Sequence, residues 1–200
     1  MITKSKLAIE LSKLKTFENP KIREEQYVTD SEIAADMLWF VYMQGDIYGK
    51  IIADFGCGTG ILGIGALLLG AKKVFFIEKD SGALLLCKEN AKQFSKQSVF
   101  KIEDIKNFNE KTDTVIQNPP FGTKTKHADR EFLEKAFKTA NVVYSFHKSS
   151  TREFVEAFAE ANGFKTTAFI EYAMPLKATL AFHRRRIHRI KVGCWRFQAV

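Results

Sequence analysis

Leu7, Leu11 and Leu14 fall on one helical face of the stretch Lys4 to Lys15, and the polar run from Glu18 to Gln26, with Pro20 inside it, breaks that helix. A second helix follows Thr29 or Asp30, either of which can cap it. Its apolar residues Ile33, Met37, Leu38, Val41 and Tyr42 recur at three-to-four spacing until Gly45. Residues 1–49 therefore predict a helical lid packed on a larger body. From Lys50 the texture changes: Ile51–Phe55, Val74–Ile77, Val99–Ile102, Thr114–Ile116 and Val142–Phe146 read as short strands. Helical stretches near 61–69, 81–93, 129–140 and 151–161 follow or separate them, and this alternation predicts a parallel sheet with helices on both faces.

Two of these helices carry start signals. Asp129 precedes the periodic Phe132, Leu133, Ala136 and Phe137, while Ser150 to Glu153 has the spacing of a capping box and Asn162-Gly163 supplies a stop. Phe164–Tyr172 and Ile187–Phe197 are then two strand-like stretches without a helix between them, which predicts an antiparallel finish. In the second of these, Ile190, Val192 and Cys194 alternate with Arg189, Lys191 and Trp195, so one buried face and one cationic face are expected.

The chain has 200 residues, enough for one domain. The organisation expected is a single domain with a lid at 1–49, an α/β core at 50–182 and a basic terminal strand at 183–200. At 46% hydrophobic and 27% charged residues the chain is excluded from the disordered classes. Its longest apolar runs, Met37 to Met43 and Ile61 to Leu69, are far too short to cross a bilayer, and Glu10 and Lys13 interrupt any leader. Cys57, Cys87 and Cys194 form no ligand spacing, so no metal is expected and a reducing cytoplasm fits best. Of the formal net charge of +8, +6 lies within 183–200, where Arg184, Arg185, Arg186, Arg189, Lys191 and Arg196 stand without an acid. A local excess of that kind suits a polyanion, and nucleic acid is the commonest in a cytoplasm.

Asp54-Phe-Gly56-Cys57-Gly58-Thr-Gly60 closes the first strand and opens a helix. Glycines there permit a tight turn and leave backbone N–H groups open to a ligand, so a small-molecule cofactor is implied. Read from Gly58, the segment also matches the dinucleotide fingerprint Gly58-x-Gly60-x-x-Gly63, and the glycines alone do not name the ligand. Glu78 ends the second strand about 20 residues on, where an acidic side chain accepts hydrogen bonds from ribose hydroxyls. Asp104 ends the third strand, and Asn118-Pro119-Pro120-Phe121 follows the fourth, all on the carboxyl edge where ligands of such sheets bind. Here the pattern resembles the class I S-adenosylmethionine-dependent methyltransferases, with a Rossmann-like, seven-stranded, mostly parallel sheet. The resemblance implies S-adenosyl-L-methionine as cofactor, an adenine contact at Asp104, and a planar nitrogen substrate held by Asn118 to Phe121.

That last motif has a physical rationale of its own. An exocyclic amine on a heteroaromatic base delocalises its lone pair into the ring and is a poor nucleophile until its N–H bonds are aimed at acceptors that favour a pyramidal nitrogen. The Asn118 side-chain oxygen and the Pro119 carbonyl can accept those two hydrogens, and Pro119 and Pro120 stiffen the backbone without competing donors. Phe121 can stack on the base. Most of the other 17 phenylalanines fit core positions better.

Longer stretches narrow the resemblance. Glu25-Gln26-Tyr27-Val28-Thr29, Asn118 to Lys124 followed by Asp129, and Val143 to Ser150 are together similar to the methyltransferase-like protein five family, which makes N6-methyladenine in small-subunit ribosomal RNA. The resemblance runs over about 20–182. It implies that Gln26, Tyr27 and Thr29 close over the cofactor, joining Asp54, Gly56, Cys57, Gly58, Gly60, Glu78, Asp104 and Asn118 around it. It also implies the strand order 3-2-1-4-5-7-6, with the third strand a free edge where a small zinc-binding activator protein docks. Lys124, Lys126, Lys148 and the arginines 184, 185, 186 and 189 are candidate RNA contacts, with His147 a further candidate at the end of the fifth strand. The motif of Asn118 also suits a guanine amine or a glutamine amide, and these remain the alternative acceptors.

Overall fold

A computed structural model describes residues 2–17, 29–121, 128–176 and 188–200. Seven strands form one sheet: β1 (Ile51–Phe55), β2 (Lys73–Glu78), β3 (Ser98–Ile102), β4 (Thr114–Gln117), β5 (Val142–Lys148), β6 (Phe164–Leu176) and β7 (His188–Ala199). Their order is β3-β2-β1-β4-β5-β7-β6, as the resemblance implies. The neighbours among β1 to β5 pair in parallel, and β7 runs antiparallel to both β5 and β6. Six helices, α1 (Lys4–Ser12), α2 (Ser31–Met43), α3 (Ile61–Leu68), α4 (Ser81–Asn90), α5 (Ala128–Thr139) and α6 (Arg152–Ala161), complete the described residues.

Both faces of the sheet are covered, which is why its strands read as nearly continuous apolar runs. On one face Leu7, Leu11, Met37, Leu38, Ile64 and Leu84 pack with Ile52, Val74, Phe76, Ile116 and Phe146. On the other, Leu133, Ala136, Val155 and Ala159 meet Phe55, Ile77, Val115, Val143 and Phe197. The N-terminal helices α1 and α2 thus contribute fully buried leucines to a core layer.

Local chemistry sets the helix ends. The Asp30 carboxylate accepts from the N–H groups of Glu32 and Ile33, so Asp30 rather than Thr29 caps α2. Asp80 does the same for Ala83 at α4. The capping box expected at Ser150 to Glu153 does not form: Ser149–Thr151 is a 3₁₀ turn, and the Thr151 hydroxyl donates back to the Lys148 carbonyl. The first helix is one turn shorter than its leucine pattern, ending as Lys13 N–H bonds the carbonyls of Glu10 and Leu11.

The cationic face expected along the last strand is also corrected. Over its middle both faces of β7 are covered, Val192 and Cys194 by the core layer of α1 to α4 and Trp195 and Phe197 by that of α5 and α6, and Trp195 is fully buried against Phe169 and His147. Arg196 is equally unavailable to a polyanion: its Nε lies 2.9 Å from Asp46 Oδ2, which also accepts from the Tyr144 hydroxyl at 2.6 Å. This pair is nearly buried, and removing one partner of such a pair generally leaves an uncompensated charge worth ~3–5 kcal/mol. Arg196 therefore pins the terminal strand. Lys191 pairs with Glu171, 3.1 Å away at the surface, and Arg189 is exposed.

Candidate functional site

The chain leaves β1 through three glycines with positive φ, Gly56 at 64°, Gly58 at 53° and Gly60 at 88°. The N–H groups of Gly56 and Cys57 donate to the Ile77 carbonyl, so the turn is fixed to the end of β2. At Gly60 a Cβ would fall 2.5 Å from Cys87 Sγ, and at Gly63 it would fall 2.3 Å from the Phe76 ring, so these two glycines serve close packing of α3. Gly58 differs, since a Cβ there would meet only the Phe17 ring at ordinary contact distance. Its backbone borders a cleft of about 350 Å³ that is also lined by Phe17, Thr29, Asp54, Thr59 and Asn118.

Two carboxylates organise this turn. Asp54, fully buried, accepts from the Gly63 N–H at 2.8 Å. Burial pushes its pKa up to about 7, assisted by the negative charge of Glu78 and opposed by the Gly63 hydrogen bond. Glu78 accepts from Gly58 N–H through one oxygen at 3.1 Å and from Asp80 N–H through the other at 3.0 Å, and burial raises its pKa as well. Each Glu78 oxygen keeps a lone pair for a further donor. The folded Asp54 carboxyl holds its proton more tightly than the unfolded chain does. Its contribution to stability is complete below the ordinary value of 3.8 and is lost as pH rises through about 7. Asp54→Asn keeps an oxygen for Gly63 and removes the titration. Thermal midpoints measured against pH are expected to show the wild type losing stability relative to Asp54→Asn between those two values, by a few kcal/mol at most. Parallel curves would contradict this account.

Asn118 follows β4, on the other side of β1 from Glu78. Its Nδ2 donates to the Thr29 hydroxyl oxygen at 3.0 Å, whereas its Oδ1 is shielded from water and has no hydrogen-bond partner among the described residues. A buried acceptor without a donor is costly in a native fold, and a donor from a bound ligand is one way of satisfying it. Pro119 is buried, Pro120 half-buried, and Phe121 sits in the apolar cluster on the α1 to α4 face.

The remaining expected residues divide. Asp104 is exposed and its carboxylate accepts from the Lys106 N–H in the turn after β3. Cys57 lines the cleft, with its thiol 4.0 Å from Cys87 Sγ and its pKa pushed well up by burial. Lys148 is partly exposed at the end of β5. His147, by contrast, is buried: its Nε2 lies 2.6 Å from the Ser145 hydroxyl, and desolvation lowers its pKa to about 3, so it is a neutral core residue that cannot meet phosphate. Gln26, Tyr27, Lys124, Lys126, Arg184, Arg185 and Arg186 lie outside the described residues.

Phe17 and Thr59 were not legible as site residues. Asn90, at the end of α4, brings them together: its Nδ2 donates to the carbonyls of Lys15 and Thr59, both at 3.0 Å, and its Oδ1 accepts from the Lys15 N–H. The segment leaving α1 is thereby tied to the glycine turn, and a contact spanning 75 positions has no signature in local sequence. Among the described residues no cluster of three or more His, Cys, Asp and Glu side chains could hold a metal, and no helix is long and apolar enough to cross a membrane.

Comparison with known proteins agrees with this geometry. Residues 33–144 match the methyltransferase small domain. An uncharacterized protein of Methanocaldococcus jannaschii is 37% identical over 210 residues, covering 99% of this chain and 95% of the relative. The rRNA N(6)-adenosine-methyltransferase METTL5 of Danio rerio is 36% identical over 195 residues, 94% of each. The crystal structure of a candidate RNA methyltransferase from Pyrococcus horikoshii is similar with a TM-score of 0.93 at 45% identity, covering 99% of this chain and 100% of that one.

Proposed function

The chain belongs to the methyltransferase small domain family, and from that premise we propose that it transfers a methyl group from S-adenosylmethionine to the exocyclic N6 amine of an adenosine in ribosomal RNA, specifically that of the small subunit. The observation that carries the reading is the buried, unpartnered Asn118 Oδ1 beside a glycine-built cleft. Curated relatives from fish, fly and worm are named rRNA N(6)-adenosine-methyltransferases, which favours an adenosine over a guanine or glutamine acceptor.

The residues fit the cofactor. Gly58 offers open backbone, the oxygens of Glu78 are free to accept from two ribose hydroxyls, and Asp104 at the end of β3 is available to the adenine. Gln26, Tyr27 and Thr29 close the site from the N-terminal side in this proposal. The cofactor supplies an electrophilic methyl group on a positively charged sulfur. Asn118 Oδ1 and the Pro119 carbonyl accept the two N6 hydrogens and draw the amine lone pair out of conjugation, Pro120 fixes their separation, and Phe121 bears on the base. Positioning of this kind needs no strong base near the nitrogen.

Nucleoside analysis of protein-free rRNA by mass spectrometry, after incubation with the chain and isotopically labelled S-adenosylmethionine, tests the reading. Labelled N6-methyladenosine is the expected product, and its confinement to small-subunit RNA tests the finer assignment. Label in a guanosine instead would overturn it.

Lys124, Lys126, Lys148, Arg184, Arg185, Arg186 and Arg189 serve in this proposal as phosphate contacts on the flanking RNA. Changing the four arginines to alanine is expected to weaken binding to all RNAs about equally. The slope of log affinity against log salt should become shallower by ~0.7 for each single-strand phosphate that is no longer neutralised. An unchanged slope would reduce the run to a solvated surface. The free β3 edge suits a strand added by a small zinc-binding activator, and the paired Lys101 and Glu110 beside it equally suit keeping a lone edge soluble. A cytoplasmic location accords with a ribosomal substrate.

A further inference from the structure

An asparagine amide has two ends, and only the oxygen suits an acceptor amine. Inverted, Asn118 would aim its own N–H₂ at the N–H₂ of the base, and two donors would face each other. We infer that Thr29 is a positioning residue that fixes which end of the Asn118 amide faces the acceptor nitrogen, an inference that rests on the proposed role of Asn118.

Three observations carry it. The Thr29 hydroxyl oxygen receives the Asn118 Nδ2 hydrogen at 3.0 Å, which leaves the buried Oδ1 as the end of the amide without a partner among the described residues, in a side chain that lines the same cleft as Thr29. Thr29 is itself 5% exposed, so water does not compete for that hydroxyl. Asp30 performs the capping of α2 alone, and Thr29, the other residue suited to the cap, is thereby free for a contact 89 positions away. The inverted amide would accept the Thr29 hydroxyl hydrogen and strand a buried N–H₂, and orphaned buried N–H groups are rarer in native structures than under-satisfied carbonyl oxygens. The hydroxyl thus acts on the amine through Asn118.

The test is single-turnover methyl transfer to protein-free rRNA by the full chain, with cofactor affinity from calorimetry and a thermal midpoint on every variant. Thr29→Val, nearly isosteric, is expected to slow transfer at saturating cofactor about tenfold, the effect of losing one hydrogen bond, with RNA KM unchanged. Thr29→Ser keeps the oxygen and should restore the rate. Should Thr29→Val lose its fold, Thr29→Ala is expected to show the same division of rate from RNA KM. The inference is overturned by a Thr29→Val enzyme of wild-type rate, by a loss confined to cofactor affinity, or by Thr29→Ser failing as badly as Thr29→Val. An Asn118→Ala variant that still transfers at the wild-type rate would instead remove the premise, and the inference with it.

Discussion

Asn118→Ala is expected to lower the rate of methyl transfer by at least ~10²-fold, the usual effect of deleting one fixed hydrogen-bonding group aimed at a reacting centre. S-adenosylmethionine affinity should stay within a few-fold. Asn118 follows β4 and Glu78, the residue assigned to the ribose, ends β2, on either side of β1 in the sheet, and the Asn118 oxygen has no partner among the described residues. Removing the side chain deletes the acceptor for one N6 hydrogen and leaves the glycine turn as it was, because that turn is held by Ile77, Glu78 and Cys87. Single-turnover transfer measured beside calorimetric binding separates the two effects. Near wild-type turnover in a folded variant would show that the motif does not orient the acceptor.

Strand positions were legible because parallel strands covered on both faces need short apolar runs, and helices between them need a longer period, whereas the order of the strands came from the family resemblance alone. Ile51–Phe55 coincides with β1, and the other core strands differ by one or two residues at their ends. The N-terminal cap of α2 was legible only as a choice between two residues, since the deciding fact, that the Thr29 hydroxyl is engaged by Asn118, spans 89 positions. The capping box failed at Ser150 for a related reason. Continuous turn geometry after β5 shifted the cap to Thr151, whose hydroxyl bonded backward to Lys148.

Errors in the last strand have a single cause. Alternation assigns one face to solvent only when a strand has a solvent face, and β7, covered by one core layer at Val192 and Cys194 and by the other at Trp195, has none over Val192 to Trp195. Arg196 then reads as one more cation of a basic tail although Asp46, 150 positions earlier, neutralises it. His147 illustrates the complementary case. The carboxyl edge of a strand is where ligands bind, yet a residue there can still point into the layer beneath, where Ser145 and Trp195 enclose it. Asp54, by contrast, was legible as part of the cofactor turn but not as a group titrating near neutrality, because its burial is a property of α3 packing over it.

Glu78→Ala should weaken S-adenosylmethionine binding by ~10²-fold or more, since it removes two hydrogen bonds to a charged acceptor, each worth ~1.5–3 kcal/mol. Transfer at saturating cofactor should change little, the opposite division to that of Asn118→Ala. The geometry argues for a binding role: one carboxylate oxygen supports Gly58 and the other Asp80, so the group is held rigid beside the glycine turn, and each oxygen keeps a lone pair for a further donor. The charged form is the better acceptor, and burial raises the pKa of Glu78 above the ordinary carboxylate value. Cofactor affinity of the wild type is therefore expected to fall as the medium is acidified, beginning at a higher pH than for an exposed glutamate. Glu78→Gln keeps one oxygen, so it should bind with intermediate affinity and lose that acid limb. Asp54 titrates nearby and interacts with Glu78, so the comparison is made again in an Asp54→Asn background, where the acid limb should persist if it belongs to Glu78. Unchanged calorimetric affinity in a folded Glu78→Ala variant would assign the ribose hydroxyls to other groups, and an acid limb surviving in Glu78→Gln but vanishing in Asp54→Asn would assign the titration to Asp54.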